Sequence, residues 1–188
     1  MGFCLGLTYR ATAIAHHSHD NFKATSPTQY YENETFSFMK AVDGDTLDII
    51  DSHSQQIRIR LHGIDTPERG KFYFSQATKQ LEALCKGQTI RLSTIGDGKF
   101  GRISANVTCG TIFANAALIE SGAAIVSIQY ANEPSFYKLQ NGTRRACKGI
   151  WTKEIEKTYP KSRLEGHSPI QGWVKITSQE NCLHSNRL

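Results

Sequence analysis

The sequence predicts an α+β domain that is mainly β. It reads as a five-stranded Greek-key barrel with about three helices, plus N- and C-terminal extensions. Short runs with period-2 alternation recur between tight-turn signals. Longer runs carry the 3.6-residue spacing of amphipathic helices. Hydrophobic residues make up 39% of the 188 and charged residues 21%, which is enough to bury a core and too apolar for a disordered chain.

Residues 1–35 read as a largely irregular leader. Gly2 to Leu7 is short and apolar, and Ala13-Ile14-Ala15 resembles a small-residue cleavage site, but a basic n-region is missing, so the leader reads either as a signal-peptide remnant or as a disordered segment. His16, His17 and His19 lie on this stretch without a scaffold to hold them. Order is expected from Phe36. Phe36 to Val42, Thr46 to Asp51 and Gln55 to His62 read as three strands joined by tight turns. In the third, Ile57, Ile59 and Leu61 alternate with Arg58, Arg60 and His62, giving one apolar and one basic face. Ser75 to Lys86 reads as a helix with Ala77, Leu81, Leu84 and Cys85 on one stripe and Gly87 as its stop. Thr89 to Ile95 and Arg102 to Val107 are two further strands. A short helix is expected near Phe113 to Ser121. A last one runs from Ser135 to Cys147 with Phe136, Leu139, Thr143 and Ala146 on one side. Gly172 to Thr177 reads as one more strand within a C-terminal extension, residues 152–188, whose role the sequence does not give. Five strands around a basic face, with helices inserted between them, suggest a barrel of the oligonucleotide-binding type over residues 36–151.

The formal net charge of +5 suits a surface that attracts phosphodiesters or anionic membranes, and equally a merely soluble basic protein. No stretch approaches the roughly 18–20 apolar residues of a membrane span, which argues against an integral membrane protein. The five cysteines are scattered and include no C-x-x-C pair, so neither a zinc site nor a disulfide framework is indicated. Cys85 and Cys147 fall on apolar helical stripes, where buried free thiols are expected.

Three segments carry chemistry. Val42-Asp43-Gly44-Asp45-Thr46 reads alone as a hairpin turn; functionally, its paired carboxylates suit a hard cation. A helix–loop–helix calcium loop starting at Asp43 fails, because Leu47, Asp48 and Ser54 stand where an oxygen ligand, Gly and Glu are required. Arg60-Leu61-His62-Gly63-Ile64-Asp65-Thr66-Pro67-Glu68 reads as a strand end and turn. It can aim a guanidinium and two carboxylates into one cleft. In Lys99-Phe100-Gly101-Arg102, Gly101 permits close approach and Arg102 can clamp a phosphate bidentately.

These segments, followed by Glu120-Ser121-Gly122-Ala123-Ala124 and Gly149-Ile150-Trp151, resemble the staphylococcal nuclease (thermonuclease) family in order and spacing, from about Phe36 to Trp151. The resemblance implies a Ca²⁺-dependent phosphodiesterase that acts on DNA or RNA with low sequence specificity. It leaves 3′-phosphate ends. It further implies Asp45, Asp65 and the Thr66 carbonyl as Ca²⁺ ligands, with Asp43 acting through water. Glu68 would position or deprotonate the attacking water, and Arg60 and Arg102 would hold the scissile phosphate. Lys99, Phe100 and Tyr130 would bind substrate. The sequence departs from the family pattern at Gly98, Phe100, Ile128 and Gln76, none of which removes a metal ligand or a phosphate clamp. His62 shares the side of Arg60 by strand parity and is expected as a cleft neighbour. The resemblance favours a secreted or periplasmic monomer and leaves the cytoplasm open. A non-catalytic nucleic-acid- or protein-binding module of the same fold is the competing expectation. Such modules usually lack acidic ligands or arginines that this chain retains.

Overall fold

The computed structural model describes residues 31, 34–97, 102–127, 134–152 and 159. Strands β1 (Thr35–Ala41), β2 (Thr46–Ile50) and β3 (Gln56–Leu61) form an antiparallel meander. A two-residue strand, β4 (Ile64–Asp65), follows, then helix α1 (Phe74–Cys85). Strands β5 (Thr89–Asp97) and β6 (Ile103–Cys109) pair antiparallel with one another, and β5 also pairs with β1. The parallel pairing of β3 with β6 closes these five strands into a barrel, so the expected architecture is present. A short strand β7 (Ile112–Phe113) extends the β6 side. Helix α2 (Ala114–Ser121), strand β8 (Ile125–Val126), helix α3 (Pro134–Arg145) and a single 3₁₀ turn (Gly149–Trp151) complete the described order. Among the described residues, no helix is long and apolar enough to cross a membrane.

Inward positions alternate as the pattern requires. Ile59 and Leu61 of β3, Ala105 and Val107 of β6, and Leu47 and Ile49 of β2 are buried together with Ala77 and Leu81 of α1. Asp48 is also wholly buried, although it faces outward from β2. Arg58 on β3 donates from Nε to Asp48 Oδ1 at 2.7 Å and from Nη2 to Oδ2 at 2.9 Å, and Gln56 Nε2 adds 2.8 Å. These cross-strand partners, together with Lys40 on β1, cover the carboxylate and hold it well below the usual carboxylate range, chiefly through the Arg58 hydrogen bonds.

Two expectations for the cysteines are corrected. Cys85 is not a free thiol: it forms a disulfide with Cys109, with Cα atoms 4.9 Å apart. Strand β6 continues past Val107, and Cys109 keeps the inward parity of Ala105 and Val107. The end of the α1 stripe and the end of β6 therefore meet in one core. Cys147 is also disulfide-bonded, and it sits beyond the end of α3 with φ +51°, not on a helical stripe. The buried face of α3 is also rotated from the expected one. Phe136, Tyr137, Gln140 and Thr143 are buried, whereas Ala146 is exposed. Gln140 belongs inside because its Oε1 accepts the Val126 N–H at 2.6 Å. The expected strand Gly172 to Thr177 lies outside the described residues.

Candidate active site

The site begins at the turn between β1 and β2. The Val42 N–H donates to the Thr46 carbonyl at 2.8 Å, and the Asp45 N–H donates to Asp43 Oδ1 at 3.1 Å, so the aspartates flank a tight bend. Gly44 is needed there for space. A Cβ at this position would lie 2.7 Å from Ala77 Cβ and 2.8 Å from Thr66 Oγ1. Without that side chain, the bend lies directly on Thr66 and on α1.

Asp45 is consequently buried and heavily hydrogen-bonded. Its Oδ2 accepts the Thr66 N–H and the Thr66 Oγ1–H, both at 2.9 Å, and its Oδ1 accepts the Thr46 hydroxyl at 3.2 Å. Its carbonyl accepts the Leu61 N–H at 2.8 Å, which sets it beside β3. There Arg60 reaches both acids. Nη1 pairs with Asp45 Oδ2, and Nη2 pairs with Asp65 Oδ1 at 3.1 Å. One guanidinium thus spans two carboxylates that are 15 and 5 residues away in the chain. Asp65 is held on β4, whose register is Ile64 opposite Val126 and Asp65 opposite Ile125. Arg60 pairs with Oδ1 of Asp65, and Oδ2 of the same carboxylate is buried.

Electrostatically, one guanidinium faces two buried carboxylates among the described residues. Burial raises the Asp45 carboxyl to about 7; Arg60 opposes the rise and Asp43 adds to it. A site rich in oxygen donors whose buried Asp45 is poorly ionised by itself fits a hard divalent cation, which would supply balancing charge. Among the described residues, no three of His, Cys, Asp and Glu converge into a cage. Asp43 directs Oδ1 at the Asp45 backbone, so the donor set would be two carboxylates completed by carbonyl and water oxygens.

The remaining expected residues fall as follows. Glu68 is exposed, three residues beyond Asp65, at a turn closed by the Lys71 N–H donating to its carbonyl at 2.9 Å. Arg102 is half-buried and immediately precedes β6. Ser104 stands opposite Arg60 in the β3–β6 register, so Arg102, two residues earlier, lies toward the same face of the pair. His62 is within 3.1 Å of Ser104 Oγ through Nδ1 and borders that face. Lys99, Phe100 and Tyr130 lie outside the described residues.

Several supporting residues carried no recognisable signal in the sequence. Asn115 on α2 is fully buried; it accepts the Val107 N–H at 2.9 Å and donates to the His62 carbonyl at 2.8 Å, tying α2 to the segment that leads into β4. The Ser127 N–H donates to the Gly63 carbonyl at 2.9 Å on the other side of that segment. Asn115 is the second residue of α2, past the N-cap at Phe113, so no capping pattern marks it. Only its buried partners reveal its role.

Residues 58–153 match the family described as staphylococcal nuclease homologue. An uncharacterised endonuclease of Escherichia coli is 32% identical over 115 residues, covering 61% of this chain and 74% of that protein. One from Haemophilus influenzae is 28% identical over 120 residues, covering 64% and 67%. A staphylococcal-like nuclease of Arabidopsis thaliana is 26% identical over 98 residues, covering 52% and 30%. With the family's model matched over half the chain, and with the barrel that presents Asp45, Arg60 and Asp65 together, this protein belongs to the staphylococcal nuclease homologue family.

Proposed function

We propose that the protein is a Ca²⁺-dependent nuclease. It hydrolyses phosphodiester bonds of DNA or RNA with low sequence specificity and breaks the 5′-O–P bond to leave 3′-phosphates. The observation that carries this reading is the single guanidinium of Arg60 laid across Asp45 and Asp65. It is supported by the endonuclease names of the relatives.

Asp45 and Asp65 would hold the ion, with the Thr66 carbonyl as a further donor and Asp43 acting through water. Bound there, Ca²⁺ would balance the carboxylates and polarise the phosphoryl oxygens. Hydrolysis places added negative charge on the equatorial phosphate oxygens. Arg60 and Arg102, on one face of the β3–β6 pair, supply fixed forks of N–H donors to that charge. Glu68, exposed beside β4, takes the proton of the attacking water or holds that water in line. The carboxylate has the freedom to do so because it is not consumed by the buried network around Asp45. The basic body of the chain draws the strand in through its backbone. This gives affinity without sequence readout and a steep decline of binding with salt.

Digestion of end-labelled single- and double-stranded DNA and RNA tests the reading. The expected result is cleavage with Ca²⁺, its loss on chelation, and 3′-phosphate products. Glu68→Gln, folded by circular dichroism, should turn over about a hundredfold or more slowly. Lack of cleavage of all four substrates, or full turnover by the folded variant, contradicts it.

A further inference from the structure

The region matched by the family ends at residue 153. Beyond it, Tyr159 is 2% exposed and packs with Ile125, Ile150, Trp151 and Tyr73 in a second small core. Its phenol donates to the Asp65 carbonyl oxygen at 3.3 Å. We propose that Tyr159 is a positioning residue of the nuclease site. It fixes the Asp65–Thr66 peptide from behind, so the scaffold of the site extends past the family's matched segment.

The Asp65 carbonyl and the Thr66 N–H belong to one peptide unit, which is planar and trans, so the two groups point in opposite directions. The N–H end donates to Asp45 Oδ2 at 2.9 Å, inside the site. The carbonyl end accepts from Tyr159, behind the site. Holding both ends fixes the rotation of the plane. That rotation sets where the Asp65 side chain leaves the backbone and where the next carbonyl, that of Thr66, points. Strand β4 needs such a fixture because it is only two residues long and takes its register from the equally short β8.

The core that carries Tyr159 is itself anchored. The Ile150 N–H donates to the Gly122 carbonyl at 2.9 Å, where the two backbones cross without side chains between them. A Cβ on Gly122 would overlap the Lys148 carbonyl, and one on Gly149 would overlap the Gly122 carbonyl. The end of α2, the 3₁₀ turn and Tyr159 therefore form a continuous support behind β4. A phenylalanine at position 159 would fill the same ring volume and lack the donor.

The inference rests on the metal-site reading for its consequence, and two readouts on full-length protein separate the two. Amide hydrogen exchange without metal compares wild type, Tyr159→Phe and Ile150→Val, the last loosening the same core while keeping the hydroxyl. Tyr159→Phe should speed exchange at Thr66 by about tenfold and leave Val107, bonded to Asn115, unchanged. Ile150→Val should not single out Thr66. Calorimetric titration of Ca²⁺ should then show about tenfold weaker binding for Tyr159→Phe, the usual scale for a group supporting a ligand, and little change for Ile150→Val. Unchanged Thr66 exchange in Tyr159→Phe overturns the proposal, as does unchanged Ca²⁺ affinity in a wild type that binds the ion. A wild type that binds no Ca²⁺, but whose Thr66 exchange responds to Tyr159→Phe, overturns the metal-site reading and leaves the positioning role standing.

Discussion

Burial pushes the Asp45 carboxyl up to about 7, against the pull of Arg60 and with the help of Asp43. Between about pH 4, where an unfolded aspartate titrates, and pH 7, the folded metal-free state therefore binds a proton that the unfolded chain has released. Stability from this group grows as pH falls from above 7 toward 4. Further down, Asp48 works the other way. Its lowered pKa gives stability that is present above its unfolded value and lost as pH falls through its folded value. Thermal melts of metal-free protein should rise from pH 8 to pH 5 and fall in strong acid, and Asp45→Asn should flatten the first slope. Ca²⁺ requires the ionised carboxylate, so its affinity should increase as pH rises through about 7. At the neighbouring Arg60, Lys would keep the charge and lose the planar fork. Arg60→Lys should lower kcat by about a hundredfold with a smaller change in KM, because the fork acts chiefly on transition-state charge. Steady-state kinetics that show only a raised KM would contradict that role.

At the level of elements, the Cys85–Cys109 disulfide ties α1 to β6. It closes a separation of 24 residues between the end of α1 and the end of β6. A loop of that length is worth about 3 kcal/mol through the unfolded chain. The double variant Cys85→Ala with Cys109→Ala should lose about that much in urea unfolding, and an unchanged midpoint would show the bond to be idle. What could be read beforehand follows from period. Strand β3 alternates over six residues and α1 keeps its stripe over twelve, so both were legible, and their buried residues agree. Strands β4 and β8 have two residues each, too few for any period. The α3 face was misjudged at Gln140, because its burial depends on a hydrogen bond to Val126 that no apolar pattern announces. The cysteine pair was missed for a similar reason: its spacing belongs to no motif, and the β5–β6 register, with Cys109 opposite Ile90, brings the two thiols together.

For the whole molecule, the closed barrel converts separate stretches of sequence into one site. Asp45 ends a hairpin turn, Arg60 lies late on β3, and Asp65 begins the departure toward α1. The β2–β3 and β4–β8 registers bring all three together. Their identities were legible because carboxylates and arginines at these spacings match a recognisable pattern. The support behind them was not, since Asn115 and Tyr159 act through backbone groups distant in sequence. Asp45 and Asp65 together are proposed as a cation site serving phosphodiester cleavage. Its most direct test is the cleavage rate of single-stranded DNA across a Ca²⁺ titration, for wild type and for a folded Asp65→Asn variant. Saturable, chelator-sensitive cleavage by wild type is expected, with at least a hundredfold loss in the variant at the same Ca²⁺. Cleavage by wild type that persists in chelator, or a variant titration that overlays the wild type, would contradict it.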